Sequence, residues 1–306
     1  MRIIFAGNNK RSEICLKYLF KKNNIEIVLV ICHPDQKTDQ GSYRSIKPIA
    51  DKFNLSNISP SNINSPECKK IISSLQADLM ILVGYSASLL KKETFSLPRN
   101  GTINLHASPL PFYRGAAPLN WMLINGETKG SISIIEIDEG IDTGPIIAKK
   151  DFNITNRETI ISLTEKVNKL YPRLLYDTIL KIKNNTIVKI EQSISIGSFF
   201  SKRCPEDGYI NFSKMKAVEV DRFVRALKPP YPGAFFYYFG KKIIIVESGL
   251  ESTDYFGIPG RIVKKDYEGI VIIAKDRGIR IRKIVSEEQT VSNTFEYKFR
   301  VGTDVD

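Results

Sequence analysis

MRIIFAGNNKRSEICLKYLFKKNNIEIVLVIC, residues 1–32, decides the fold. An apolar run over residues 2–6 stops at Gly7, residues 13–20 carry Ile14, Leu16, Tyr18 and Leu19 at helical spacing, and a second apolar run covers 26–32. Short continuous apolar runs on either side of a helix mark a strand–helix–strand unit whose strands are covered on both faces. The pattern recurs. Helices are expected near residues 46–53 and 66–75, and a strand at 79–83 ends in Gly84 and Tyr85. Strands separated by helices predict an α/β fold with a Rossmann-like, mostly parallel sheet. Such sheets take ligands beyond the carboxyl ends of their strands, which singles out Gly7-Asn8-Asn9 and Gly84-Tyr85. No GxGxxG follows the first strand, which argues against a dinucleotide cofactor.

The stretch TINLHASPLPFYRGAA, residues 102–117, sets a carboxamide and an imidazole two residues apart. On an extended strand, positions i and i+2 share a face. Asn104 and His106 are therefore expected to point into one cleft, the first to donate to a developing oxyanion and the second to take a proton. The pairing suits acyl transfer to an amine. Further on, IDEGIDTGPII (137–147) supplies Asp142 in a glycine-flanked turn as the carboxylate that orients the ring. The chain has only 2 histidines, so one inside this motif carries weight. Ser108 to Gly115, with Pro109 and Pro111, reads as a stiff loop in which Arg114 is either a brace or an anion contact.

A helix over 157–183 is expected from Leu163, Val167, Leu170, Leu174, Leu175 and Ile179, despite Pro172. The reading divides the chain into a catalytic domain (1–184), a linker (185–200) and a small β-rich domain (201–306). In that last part a short helix at 223–227 and strands at 234–238, 241–247, 261–264, 269–274 and 278–285 predict an antiparallel, OB-like β-barrel. The tail after Gln289 is expected to be weakly ordered.

Composition narrows the classes. A length of 306 residues favours two domains, and 42% hydrophobic with 25% charged residues excludes membrane-spanning and collagen-like chains. The start, MRIIFAG, has no signal-like stretch, so a cytoplasmic protein is expected. Cys15, Cys32, Cys68 and Cys204 lack zinc-ligand spacing, and no metal is expected. A net charge of +12 suits nucleic acid and a small phosphorylated substrate alike, but the lysines are scattered, as in KKNN (21–24) and KIKNN (181–185). A competing class is a binding module whose pairs Phe199-Phe200 and Phe235-Phe236-Tyr237-Tyr238 stack on single-stranded nucleic acid; an intact Asn104, His106 and Asp142 argues against it.

The residues INLHASPLPFYRGAAPLNWMLINGETKG, followed by IDEGIDTGPI, resemble the folate-dependent formyltransferase family. Its signature of Asn-x-His, Ser-x-Leu-Pro-x-x-Arg-Gly and Asp-x-Gly is met by Asn104, His106, Ser108 to Gly115 and Asp142 to Gly144. The resemblance implies direct transfer of a formyl group from 10-formyltetrahydrofolate to an amine, with Asn104, His106 and Asp142 as the catalytic set. It also implies that backbone at Leu82, Val83, Gly84, Tyr85, Ile137, Asp138 and Gly140 clasps the pterin. Ala107-Ser108-Pro109 departs from relatives that have glycine before the serine and leucine after it, a change expected to stiffen the loop slightly and to leave activity intact.

Two branches share these motifs, one formylating methionyl initiator tRNA and one formylating nucleotide-linked aminosugars. APLNWMLINGET, PEDGYINF (205–212) and YPGAFFYYFGKK (231–242) look more like the sugar branch, including the formyltransferase part of the aminoarabinose lipid-modifying enzyme. The tRNA branch usually carries a longer, more basic loop after the second strand, whereas HPDQKTDQGSYRS (33–45) holds only Lys37 and Arg44, too sparse for a phosphate-backbone grip. The acceptor implied is a UDP- or dTDP-linked 4-amino-4,6-dideoxyhexose of the kind used in lipopolysaccharide O-antigen, with initiator tRNA as the alternative. Asn8, Asn9, Lys10 or Arg11, together with Arg203, are expected to meet its phosphates, Tyr231 to stack on the base, and Arg114 to be a further substrate contact. The partners are thus folate and a nucleotide aminosugar, with no membrane, nucleic acid only in the tRNA alternative, and a homodimer left open.

Overall fold

The computed structural model describes residues 1–33, 45–85, 89–286 and 291–306. Two compact units emerge, one from residues 1–118, 129–153 and 164–201, the other from 119–128, 154–163 and 202–306. In chain order the elements up to residue 200 are β1 (Arg2–Gly7), α1 (Lys10–Phe20), β2 (Glu26–Cys32), α2 (Lys47–Lys52), β3 (Asn57–Ile58), α3 (Pro66–Ser74), β4 (Leu79–Val83), α4 (Lys92–Phe95), β5 (Thr102–His106), β6 (Arg114–Gly115), α5 (Pro118–Asn125), β7 (Lys129–Glu136), β8 (Ile146–Asn153), α6 (Ile160–Lys183) and β9 (Phe199–Phe200).

Seven of these strands form one sheet in the order β3-β2-β1-β4-β5-β7-β8. Pairs from β3 through β5 are parallel, and β5-β7 and β7-β8 are antiparallel. The sequence reading missed this β7-β8 hairpin. Strand β1 lies inside the sheet, and Ile3, Ile4, Phe5 and Ala6 are all 0% exposed. Burial on both faces explains why its apolar run shows no alternation, each large side chain contributing roughly 1.5–3 kcal/mol. The chain winds from β1 outward to β2 and β3, then β4 pairs on the other side of β1, so the order reverses between β1 and β4. Ligands of open α/β sheets sit at such a reversal.

That point is built tightly. Asn9 caps α1 by accepting from the Ser12 amide at 3.0 Å, and the Ser12 hydroxyl donates to the Val83 carbonyl at 2.5 Å, tying the helix start to the end of β4. A Cβ on Gly84, whose φ is +63°, would lie 1.9 Å from Asn9 Nδ2, so only glycine fits. In α6, Val167, Tyr171, Leu175 and Ile179 form a buried stripe at four-residue spacing. Pro172 sits inside this helix and has no N–H for the Asn168 carbonyl one turn back.

Residues 185–200 do not behave as a linker. Ile190 pairs with Ile146 of β8 through two backbone hydrogen bonds of 2.9 Å, and β9 runs parallel to β6. The segment satisfies backbone groups that an open sheet edge leaves unpaired.

The second unit holds α7 (Ala217–Ala226) and strands β10 (Ala234–Tyr238), β11 (Lys241–Leu250), β12 (Ile262–Asp266), β13 (Gly269–Ile273), β14 (Gly278–Val285) and β15 (Val291–Asn293). The antiparallel order is β10-β11-β14-β13-β12, with β15 on β14. Val220, Phe223 and Val224 of α7 share a core with Phe236, Ile243, Ile245 and Ile281. Helix α7 begins well before the short helix expected at 223–227, with Glu219 accepting from the Lys216 amide at 2.7 Å as an N-terminal cap. The tail expected to be weakly ordered is pinned instead. Thr294, fully buried, donates to the Ile281 carbonyl at 2.6 Å. Val305 N bonds the Gly260 carbonyl at 2.9 Å while Asp306 and Tyr237 exchange backbone bonds of 2.5 and 2.9 Å, so the chain end joins the two outer strands. No helix among the described residues is long and apolar enough to cross a membrane.

Arg280 is 0% exposed in β14, where its guanidinium bonds Glu251, Asp266 (2.6 and 3.3 Å) and the Gly269 carbonyl (3.2 Å). A buried cation survives only because each of its nitrogens meets a carboxylate or carbonyl. Replacing Arg280 with alanine leaves two carboxylates facing each other, and urea denaturation should show the second unit weakened by about 3–5 kcal/mol.

Candidate active site

Strand β5 carries the first two groups. Asn104 and His106 point to the same face, and antiparallel pairing sets Asn104 opposite Ile135 and His106 opposite Ser133 of β7. The chain then turns through residues 137–145 into β8. In that turn Asp138 accepts from the Gly140 amide at 3.0 Å and from the Thr143 hydroxyl at 2.8 Å, an Asx-type turn. A Cβ on Gly140 would meet Thr143 Oγ1 at 2.0 Å. The turn delivers Asp142 with a φ of +55°.

The three groups converge. Asp142 Oδ1 accepts from Asn104 Nδ2 at 3.3 Å and lies 3.5 Å from His106 Nδ1. Its other oxygen, Oδ2, accepts from the Gly115 amide at 2.9 Å. His106 is 7% exposed, and its Nε2 faces the Tyr113 carbonyl at 2.9 Å. That carbonyl accepts only, so Nε2 carries a proton. A ring protonated on Nδ1 as well pairs with the carboxylate; a ring with Nδ1 bare turns a lone pair toward it. The sequence reading missed Tyr113 and Gly115, whose contribution is backbone and leaves no side-chain signal.

The loop between them is held from below. Tyr113 has a φ of +61° and stacks on Phe200 at 4.8 Å between centroids, while its amide donates to the Ser198 hydroxyl at 3.0 Å. Arg114 is a correction to the expected substrate contact. It is 0% exposed, and Nε, Nη1 and Nη2 are all spent on Gln192, Ile196 and Ser193 at 3.0–3.3 Å. With its donors used inside the protein, Arg114 is the brace.

The residues expected to clasp the pterin fall beside this cluster. Leu82 is the register partner of Asn104. Tyr85 and Ile137 each pack against the core that holds Leu82, and Gly84 follows Val83 at the end of β4. Burial, with Cys68 and Cys32 adding to it, pushes the Tyr85 hydroxyl up to about 12.

At the end of β1, Asn8 is 2% exposed and its Nδ2 has no hydrogen-bond partner among the described residues. Asn9 is committed through its oxygen to the helix cap. Lys10 is exposed and pairs with Glu13 at 3.3 Å. Arg11 lies over the Tyr171 ring at 4.7 Å, and its Nε donates to Asn168 at 3.1 Å. Arg203 and Tyr231 belong to the second unit. There Arg203 lies 5.3 Å from the Trp121 ring and 4.9 Å from Phe223, and burial lowers its pKa from the usual guanidinium value. Tyr231 is half-buried, its amide donating to the Lys228 carbonyl at 3.2 Å. Lys37 and Arg44 lie outside the described residues.

Comparison with known proteins follows this geometry. Residues 1–179 match the family "Formyl transferase" and residues 203–297 match "Formyl transferase, C-terminal domain". The methionyl-tRNA formyltransferase of Acetivibrio thermocellus is 31% identical over 301 residues, 97% of this chain and 96% of that protein. The bifunctional polymyxin resistance protein ArnA of Wigglesworthia glossinidia brevipalpis is 31% identical over 294 residues, 96% of this chain but 44% of that longer protein. In fold, the chain resembles the crystal structure of WlaRD, a sugar 3N-formyl transferase, with a TM-score of 0.66 at 20% identity, covering 95% of this chain and 99% of that one.

Gly115 links the loop to Asp142, and its φ of +89° together with a Cβ position 2.4 Å from the Phe200 carbonyl leaves room for no side chain. Gly115→Ala is expected to cost about 1–3 kcal/mol in chemical denaturation and to move the amide that holds the carboxylate.

Proposed function

This chain belongs to the formyl transferase family, and on that footing we propose that it carries a formyl group from 10-formyltetrahydrofolate to the amine of a nucleotide-linked aminosugar, a UDP- or dTDP-4-amino-4,6-dideoxyhexose. The observation that carries the chemistry is the convergence of Asn104, His106 and Asp142 on one strand end, with Asp142 within 3.5 Å of both partners.

Attack by a neutral amine turns the planar formyl carbon tetrahedral, with negative charge on oxygen and positive charge on nitrogen. Asn104 Nδ2 answers the oxygen, joined by the His106 Nε2–H once it gives up the Tyr113 carbonyl. Asp142, beside His106 Nδ1, takes the proton the amine must lose. The bond from formyl carbon to folate N10 then breaks, N10 receives the proton that Asp142 took from the amine, and the products are the formamide and tetrahydrofolate. Each well-aimed group is worth about 100–1000-fold. Folate fits beside Leu82 and Tyr85, an apolar wall next to the Asn104 amide.

For the acceptor, the support is at the end of β1. The unsatisfied Asn8 amide, the start of α1 and Arg11 held by Asn168 form a polar, positively charged corner suited to a sugar diphosphate. WlaRD, the fold relative, was crystallised with dTDP and 5-N-formyl-THF. The sparse charge of residues 33–45 adds to this reading. On it the enzyme works in the cytoplasm and supplies an N-formylated sugar for O-antigen. The second reading, formylation of initiator tRNA, is favoured by the 31% identity to methionyl-tRNA formyltransferase over 97% of the chain and by the net charge of +12.

With 10-formyltetrahydrofolate as donor, a panel of UDP- and dTDP-linked aminosugars should be formylated while charged initiator tRNA is not; formylation of the tRNA alone would overturn the sugar acceptor. His106→Asn and Asp142→Asn should each lower turnover by about 100-fold or more with little change in melting temperature. Near-native rates in either variant would remove that residue from the mechanism.

A further inference from the structure

We propose that Gln192, working with Arg114, is a positioning residue that aims the Asp142 carboxylate; this rests on the catalytic reading of Asp142 above. The Gln192 side chain lies between two things that need opposite partners. Its Nε2 donates to the carbonyl of Asp142 at 3.0 Å and to that of Gly144 at 2.7 Å, using both amide protons. Its Oε1 accepts from Arg114 Nε at 3.2 Å and from Nη2 at 3.0 Å. A flipped amide would set donors against the guanidinium and an oxygen against two carbonyls, so the orientation is fixed.

The contacts close a ring. Gly115, next in the chain to Arg114, donates its amide to Asp142 Oδ2 at 2.9 Å. From that oxygen the path runs through the Arg114 guanidinium and the Gln192 amide back to the Asp142 carbonyl. Asp142 is thus gripped at its side chain and its backbone by groups that are rigid relative to each other. The grip is needed because the turn is strained: Asp142 has a φ of +55°, and a Cβ on Gly144 would lie 1.9 Å from the Glu136 carbonyl. A residue held in the left-handed region persists only where its surroundings over-determine it. Gln192 comes from the stretch 185–200, so a segment without a chemical group of its own sets the geometry of the site. Displacement of a reacting group by about 1 Å costs on the order of 100-fold in rate.

The test is Gln192→Glu, which keeps the acceptor for Arg114 but puts a carboxylate oxygen against two carbonyls. Gln192→Met, uncharged, runs in parallel should the first variant fail to fold, with circular dichroism and melting temperature confirming the fold. The expected result is a kcat about 10–100-fold lower, with KM for folate and acceptor within about twofold. In an Asp142→Asn background the same change should cost less than about twofold more, because the group it aims is gone. A folded Gln192 variant with kcat within twofold of the native enzyme, or an equal loss in both backgrounds, overturns the proposal while the catalytic reading of Asp142 stands. Full turnover in Asp142→Asn alone overturns both.

Discussion

The Asp142 carboxylate ties the 137–145 turn to strand β5 and the loop after it, a separation of 27 to 38 residues in the chain. It meets the Asn104 amide and the His106 ring on β5, and the Gly115 amide in the loop that follows. Hydrogen bonds to a charged group are each worth roughly 1.5–3 kcal/mol, about twice a neutral one. That is enough to hold a turn in a backbone conformation it would not choose alone. The surrounding features serve this contact: the Asp138 turn shapes the approach, and the buried Arg114 keeps the loop bearing Gly115 from moving.

The sheet supplies the rest of the precision. Strand β5 is locked between β4 on one side and β7 on the other, so the face that Asn104 and His106 share is set by register on both edges. A slip of one residue would turn both side chains to the opposite face. The folate reading depends on the same register, since Leu82 is paired with Asn104.

Much of this was legible in the sequence, and the reasons are local. The apolar runs of β1, β2 and β4 announce strands covered on both faces, and the spacing of Asn104 and His106 gives their common direction from the period of a strand alone. The strands at Ala234–Tyr238 and Gly278–Val285 fall where the alternation and the flanking glycines put them. What the sequence hid is non-local. Arg114 looks like any surface cation until its acceptor, 78 residues away, is found. Residues 185–200 are rich in polar residues and exposed isoleucines, so nothing in their composition betrays that their backbone completes a sheet edge. The chain end misled for the same reason, its order coming from pairing with Tyr237 and Gly260 and not from its own apolar content.

A helix missing a rung breathes at that rung. Pro172 leaves the Asn168 carbonyl without its usual amide, in the turn that presents Asn168 and Tyr171 to Arg11. The turn that grips Arg11 is therefore one short of a backbone hydrogen bond, at the corner where β1 ends.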